Sequence, residues 1–338
     1  MHFKKATCVF IFVIVFSEVV FAQGKLVFTM REAVQTEAGF RKSVGKLEPN
    51  QNPEYWWEFY KYNIYTMNPD GTDLQRLTND GSSRKPRWSP DAERIVYKTG
   101  YQGKMSLCMM LPDGSENEKM IKNVHEIYDY WWSPKSNVVL VVVEIDRDRD
   151  RFENWEVNVN GKVKRWRSER FAKGWLHWNE TGDKVITPHN RLLEVLPEGI
   201  SWPKWSPDGK WIAFKTQGVL ALAEPEVISL SRRWSLQLGE PPCHGIEKWS
   251  PDGKKILFYM NGEICVAHVN KGRFIGFRNM SLYKGRDATW GPDGQHIAFI
   301  GANTSGRRTS EIFIIDGKTR EMHQITSSLN DYSDLHWR

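Results

Sequence analysis

The chain has 338 residues, with 47 Lys and Arg against 41 Asp and Glu, a formal net charge of +6, and 16 Trp. Basic and acidic residues are interleaved along its length, with no block of like charge of the kind that forms a nucleic-acid arm, so no nucleic-acid partner is expected. Of the 4 Cys, Cys8 lies in an apolar leader; Cys108, Cys243 and Cys265 are left, and an odd number argues against a disulfide framework.

The N-terminus reads as an export signal. Lys4 and Lys5 precede an apolar run from Ala6 to Phe16, and Val20-Phe21-Ala22 suits a cleavage site. Cleavage after Ala22 is expected to remove residues 1–22 and leave residues 23–338 as one domain, periplasmic or secreted. The apolar run covers about 11 residues, short of the roughly 20 that a membrane span needs. No second run of spanning length follows, so no membrane span is expected.

Next along the chain comes a repeat. RKPRWSPDAERIVYKT (84–99), YDYWWSPKSNVVLVVV (128–143), GWLHWNETGDKVITP (174–188), SWPKWSPDGKWIAFKT (201–216), GIEKWSPDGKKILFYM (245–260) and RDATWGPDGQHIAFIG (286–301) share one pattern. A short strand ends in Trp, a turn follows, and a Val/Ile/Phe-rich strand alternates at period two. Pro presets φ in the turn, Asp hydrogen-bonds it, and Gly takes positive φ. The anchors are Trp88, Trp132, Trp178, Trp205, Trp249 and Trp290, spaced roughly 41–46 residues apart except for the short interval from 178 to 205. A period of about 40–45 residues is that of a four-stranded blade, which must stack with others to bury both faces. The C-terminus, DYSDLHWR (331–338), repeats the anchor strand with Trp337, and GKLVFTM (24–30) matches the strand that follows an anchor. The expected fold is an all-β propeller of seven blades, mostly of four antiparallel strands. The C-terminal strand pairs with the N-terminal blade to close it. If the short interval is only an insertion, the ring has six blades.

WSPDGK followed by an IAF-type strand, and IYTMNPDG (64–71) followed by RLT (76–78), resemble the TolB-like propeller repeat, a relative of the WD repeat. The resemblance runs over nearly all of residues 23–338. It implies the propeller of that family without the α/β domain that precedes it in TolB, because the first blade strand begins close to the cleavage site.

The A–B turns of such a ring share one face, and the B–C and D–A loops share the other. The longest insertions, Arg31 to Lys61, Asp146 to Asn154 and Gly301 to Ser310, are all B–C loops, with Glu240 to Gly245 joining them as a D–A loop. That face is the candidate binding surface, with Tyr55, Trp56, Trp57, Phe59, Tyr60, Arg307, Arg308 and His244 as candidate contacts. The five aromatics read equally as a lid packed over neighbouring blades. Arg87, His177, Lys204, Lys248 and His336 stand just before anchors. They either line a positive axial channel that attracts an acidic ligand or are solvated lining. Asp129, Asp287 and Asp334, three residues before anchors, either pair with those bases or cap loops.

No catalytic signature emerges. DRDRDRFENWE (146–156) lacks the Gly and the closing Glu of a calcium loop, and its arginines neutralise it. His125, His189 and His244 are weak metal candidates without ligand spacing. No GxSxG, HExxH or P-loop appears. A hydrolase domain after the propeller is not expected either, since the chain stops at the closing strand. The expectation is a non-enzymatic propeller, monomeric and without cofactor or bound metal, that binds a protein or peptide of the cell envelope. The alternatives are a metal-dependent lyase or hydrolase acting on an acidic polysaccharide, and a structural part of an envelope assembly.

Overall fold

The computed structural model describes residues 24–33, 60–146, 151–167, 177–178, 185–186, 200–208, 210–216, 219–223, 234–236, 243–302, 310–327 and 330–338. Every regular element in them is a β-strand, and no helix is long and apolar enough to cross a membrane. The predicted leader, 1–22, lies outside the described residues. The strands form four sheets of four strands, one of two strands and one of seven, all antiparallel. In the seven-stranded sheet, Arg273–Trp290 bends from the outer strand of one unit into the inner strand of the next. One four-stranded sheet draws on both chain ends, in the order Asp331–Trp337, Leu26–Ala33, Tyr60–Met67, Gln75–Arg76. There Leu26 faces Trp337 and Met30 faces Tyr332.

Burial on both faces explains the apolar runs. In Val138–Asp146, successive side chains point to opposite faces of the sheet. Val139, Val141 and Val143 pack with Val96, Met105 and Leu107 of the preceding sheet, while Leu140 and Val142 pack with Phe152 on the other side. The sheet of the two chain ends is likewise covered twice. Leu26 and Phe28 join Ala298 and Ile300, and Val27 and Ile64 join Trp88, Ile95 and Tyr97.

The repeated turn is held by a buried serine. Ser206 and Ser250 each donate to the Asp two residues on, at 2.6 Å, and each accepts the backbone N–H five residues on, at 2.9 Å. Ser89 does the same with Asp91 and Arg94. Where Asp is absent, Ser133 donates to Asn137 instead. Ser therefore belongs to the motif because it satisfies a buried backbone donor, and Asp because it accepts the serine hydroxyl.

The outer hairpin at Lys271-Gly272 has φ of 47° and 71°, the two left-handed residues of a type I′ turn. A methyl group at Gly272 would overlap the ring of Trp211 on the adjacent sheet. Gly272→Ala is expected to cost about 1–2 kcal/mol from the backbone alone, and more from the overlap. A urea melt reads it; an unchanged midpoint would contradict the packing of these two sheets.

Two loop boundaries are corrected by the pairing. The strand Leu26–Ala33 and the strand Tyr60–Met67 extend into the first insertion, which shrinks to residues 34–59. Arg151–Asn158 is a strand, with Arg151 opposite Asp146, so most of the second insertion is ladder rather than loop.

Candidate functional site

Six inner strands carry an irregularity just ahead of the anchor, that of Asp331–Trp337 lying opposite Val27 and Thr29. The register shifts between Arg84 and Arg87, Ile127 and Asp129, Ser201 and Lys204, Ile246 and Lys248, and Arg286 and Thr289. Lys85, Asp287 and Asp334 take positive φ at these bulges. A bulge adds a residue to one strand and re-aims the side chains beside it. Here it acts on the residue before each anchor.

Five of those residues, Arg87, Trp131, Lys204, Lys248 and His336, meet in one cavity of about 590 Å³. Among the described residues its lining comes from five of the six sheets and consists of six Trp, five Pro, four cationic side chains, one His, one Ser and one Gly, with no carboxylate. The prolines are those of the SPD-type turns: Pro90, Pro134, Pro207, Pro251 and Pro292. Because neighbouring strands are antiparallel, the cavity opens at the end opposite the one where the long B–C insertions leave. The cations are Arg87, Lys204, Lys248 and Arg338, with His336 beside them. A cavity of this size suits a small ligand or a peptide segment.

Arg87 is held by Asp129 at 2.7 Å and stacks 5.4 Å from the ring centre of Tyr130 and 5.9 Å from that of Trp131. Arg338 donates from Nε to the Pro90 carbonyl at 2.9 Å. Lys248 donates to Thr289 Oγ1 at 3.3 Å. His336 Nδ1 accepts the backbone N–H of Trp88 at 3.3 Å, which leaves the proton on Nε2. Burial, then the charges of Arg87, Arg338 and Lys204, bring the Lys248 ammonium down to about 7 against the opposing pull of Glu247. Burial likewise lowers Lys204, with Glu247 opposing, and raises Glu247, with Lys204 opposing. His336 is held well below its ordinary range by burial and by Lys248, Arg87 and Arg338.

Two further sets of contacts tie neighbouring sheets around this cavity. Trp132, Trp249 and Trp290 donate their indole N–H to the carbonyls of Arg87, Lys204 and Lys248, at 3.2, 2.9 and 3.4 Å. Each acceptor immediately precedes the anchor of the adjoining inner strand. Asp287 accepts the N–H of Asp334 at 2.9 Å, and Asp334 accepts that of Lys85 at 3.2 Å. Both sequence readings of the aspartates therefore apply: Asp129 pairs with a base, while Asp287 and Asp334 accept backbone donors at the next bulge.

The structure places the remaining candidates as follows. Trp88, Trp249, Trp290 and Trp337 are buried, and Trp132 is half-buried. Trp178 and His177 form the short strand paired with Val185–Ile186, and Trp205 ends Ile200–Trp205; their side chains are outside the description. Tyr55, Trp56, Trp57, Phe59, Arg307, Arg308 and His189 lie outside the described residues. Tyr60 begins its strand with Arg31 stacked 4.5 Å over its ring. His244 is exposed and accepts the N–H of Asn261 at 3.0 Å. His125 contacts Glu144 at 3.1 Å. Among the described residues, no group of three His, Cys, Asp or Glu is assembled that could hold a metal ion. Cys108, Cys243 and Cys265 are free and buried. Sequence reasoning passed over Arg338, which closes the cavity one residue past its anchor. Trp131, in the same pre-anchor position as the bases, also lines the cavity and was not among the candidate site residues.

Among solved structures, TolB from Acinetobacter baumannii superposes with a TM-score of 0.54 at 16% identity, covering 93% of this chain and 66% of that one. The β-propeller domain of the Trilobed protease from Pyrococcus furiosus superposes at 0.54 and 17% identity, covering 82% and 89%. The chain has the fold of a TolB-like β-propeller. An oligogalacturonate lyase in complex with manganese shares that fold at 0.55 and 13% identity, over 75% and 82%. No protein-family model matches the TolB-like chain. Its curated relatives include dipeptidyl-peptidase 5 of Porphyromonas gingivalis, 25% identical over 80% of this chain and 44% of that protein. Dipeptidyl-peptidase 5 of Porphyromonas endodontalis is 27% identical over 43% and 20%, and the uncharacterized peptidase YuxL of Bacillus subtilis 24% over 52% and 28%. The chain spans less than half the length of each of these relatives. They correct the expectation of a non-enzymatic protein, because all three are named as peptidases. The missing catalytic motifs had carried that expectation, and a propeller repeat encodes turns and strands whatever chemistry it serves.

Proposed function

We propose that this chain is the peptide-receiving propeller of a peptidase, exported from the cytoplasm and built of seven blades closed by its C-terminal strand. The observation that carries this reading is the cavity at the turn end of the inner strands, walled by six indoles and five prolines. Such a wall offers rigid apolar contact at low entropic cost, and indoles with cationic neighbours are the side chains most enriched at binding hot spots. The peptidase names of the sequence relatives supply the ligand class. The propeller's part in this reading is to accept a peptide segment and orient it.

Short peptides incubated with the mature protein test the proposal, with binding followed by tryptophan fluorescence. Peptide binding is expected. Trp131→Ala is expected to weaken binding about tenfold, near 1.4 kcal/mol, without unfolding the protein, since Trp131 is only half-buried. Failure of every peptide tried to bind would refute the proposal.

A further inference from the structure

We propose that the cavity recognises a carboxylate of its peptide, with Lys204, Lys248 and the Nε2–H of His336 as the donors. This rests on the peptide reading above and adds the chemical group by which the peptide is held. Three observations lead to it. Among the described residues, the wall contains four cationic side chains and no carboxylate. Two of the cations are already engaged, Arg87 by Asp129 and Arg338 by the Pro90 carbonyl. The other two are not: among the described residues, no carboxylate lies within ion-pair distance of Lys204 or Lys248, and Lys248 has only the neutral Thr289 hydroxyl. Two buried ammonium groups beside further cations, with Glu247 near but not within ion-pair distance, are costly to the fold and favourable to an incoming anion.

The tautomer fixed by the Trp88 N–H points the same way. Neutral His336 keeps one donor on Nε2 and adds no further positive charge to the cluster. A carboxylate accepts several such donors at once, and charge-assisted bonds of this type are roughly twice as strong as neutral ones. Apolar side chains next to the carboxylate would lie against the indoles.

The groups facing Lys248 are Arg87, Lys204, Arg338 and His336, with Glu247 opposing them. With the Lys248 ammonium near 7 in the free protein, an anion restores its proton. Binding above neutral pH is therefore coupled to uptake of one proton.

The test compares capped apolar peptides that end in a free carboxylate with the same peptides ending in an amide, followed by tryptophan fluorescence and calorimetry. A second pair carries an internal Asp or Asn in an amidated peptide, which separates a terminal carboxylate from a side-chain one. At least one carboxylate peptide is expected to bind about tenfold or more tighter than its neutral partner. Lys204→Gln and Lys248→Gln are each expected to erase most of that difference. Wild-type affinity is expected to fall as pH rises above 7, with proton uptake seen as a buffer-dependent heat. If neutral and acidic peptides bind alike, the inference fails and the peptide reading stands. If oligogalacturonate binds and no peptide does, both fail.

Discussion

Replacing Trp337 with alanine is expected to lower stability by about 3–5 kcal/mol, the usual loss when a buried tryptophan is removed. Trp337 is 2% exposed and packs with Leu26, Phe28, Ala298, Ile300 and Leu335, residues drawn from both chain ends and from the adjoining sheet. It also pairs in register with Leu26 at the point where the chain termini meet. Its indole N–H has no hydrogen-bond partner among the described residues, so the loss comes from packing and the cavity left behind. Trp88, on the other side of the same sheet, has the same unpartnered donor, whereas Trp132, Trp249 and Trp290 donate to neighbouring carbonyls. The sheet made from both termini thus depends on apolar burial and on the Asp287–Asp334–Lys85 relay more than other sheets do. A thermal melt should show a midpoint lower by on the order of 10 °C, and Trp337→Phe should lose less. A shift below about 1 kcal/mol would show that the terminal strand is not part of the cooperative core.

The opposite sign is expected for Lys248→Met. An unfolded lysine titrates near 10.4, while folded Lys248 is brought down to about 7 by burial and by Arg87, Arg338 and Lys204. Between these values the unfolded chain binds one more proton than the folded one, so stability rises with pH. At and below pH 7 the folded protein carries the full cost of the buried charge. Methionine fills similar volume without it. The variant should therefore exceed the wild type at pH 6–7 by on the order of 3 kcal/mol, after allowing for water in the cavity. The gap should close as pH approaches 10. His336 acts in the same direction: neutral in the folded protein, it favours unfolding as pH falls below about 6.5. Denaturant melts at several pH values read both effects. A gap between Lys248→Met and the wild type that fails to close between pH 7 and 10 would contradict the charge arrangement. The same lysine is assigned to carboxylate binding, so the stabilised variant should be the poorer binder.

The fold was legible because its signals are local. Ser, Pro, Asp and Gly act within a few residues, and the alternation of IVYKT or KILFYM is a property of one strand. The convergence of Arg87, Lys204, Lys248 and His336 could only be guessed from their shared pre-anchor position. The bulge that re-aims them is a feature of pairing between strands and leaves no mark on a single strand. Arg338 was invisible for a similar reason, since its place at the cavity is set by the turn of a different sheet, at Pro90. The choice between a binding and a peptidase role was not legible at all. Absent motifs spoke only of this stretch of chain, and the likeness to peptidases is spread through weak identity rather than gathered in a motif.

Peptides carrying a photo-activatable group, crosslinked to the mature protein and mapped by mass spectrometry, test the central claim most directly. Adducts should fall on Trp131, Pro134, Pro207, Pro251 and their neighbours at the turn end, and should diminish in Lys204→Gln and Lys248→Gln. Adducts confined to the opposite strand ends, around Arg31, Tyr62 and His244, would contradict the assignment of the cavity as the working site.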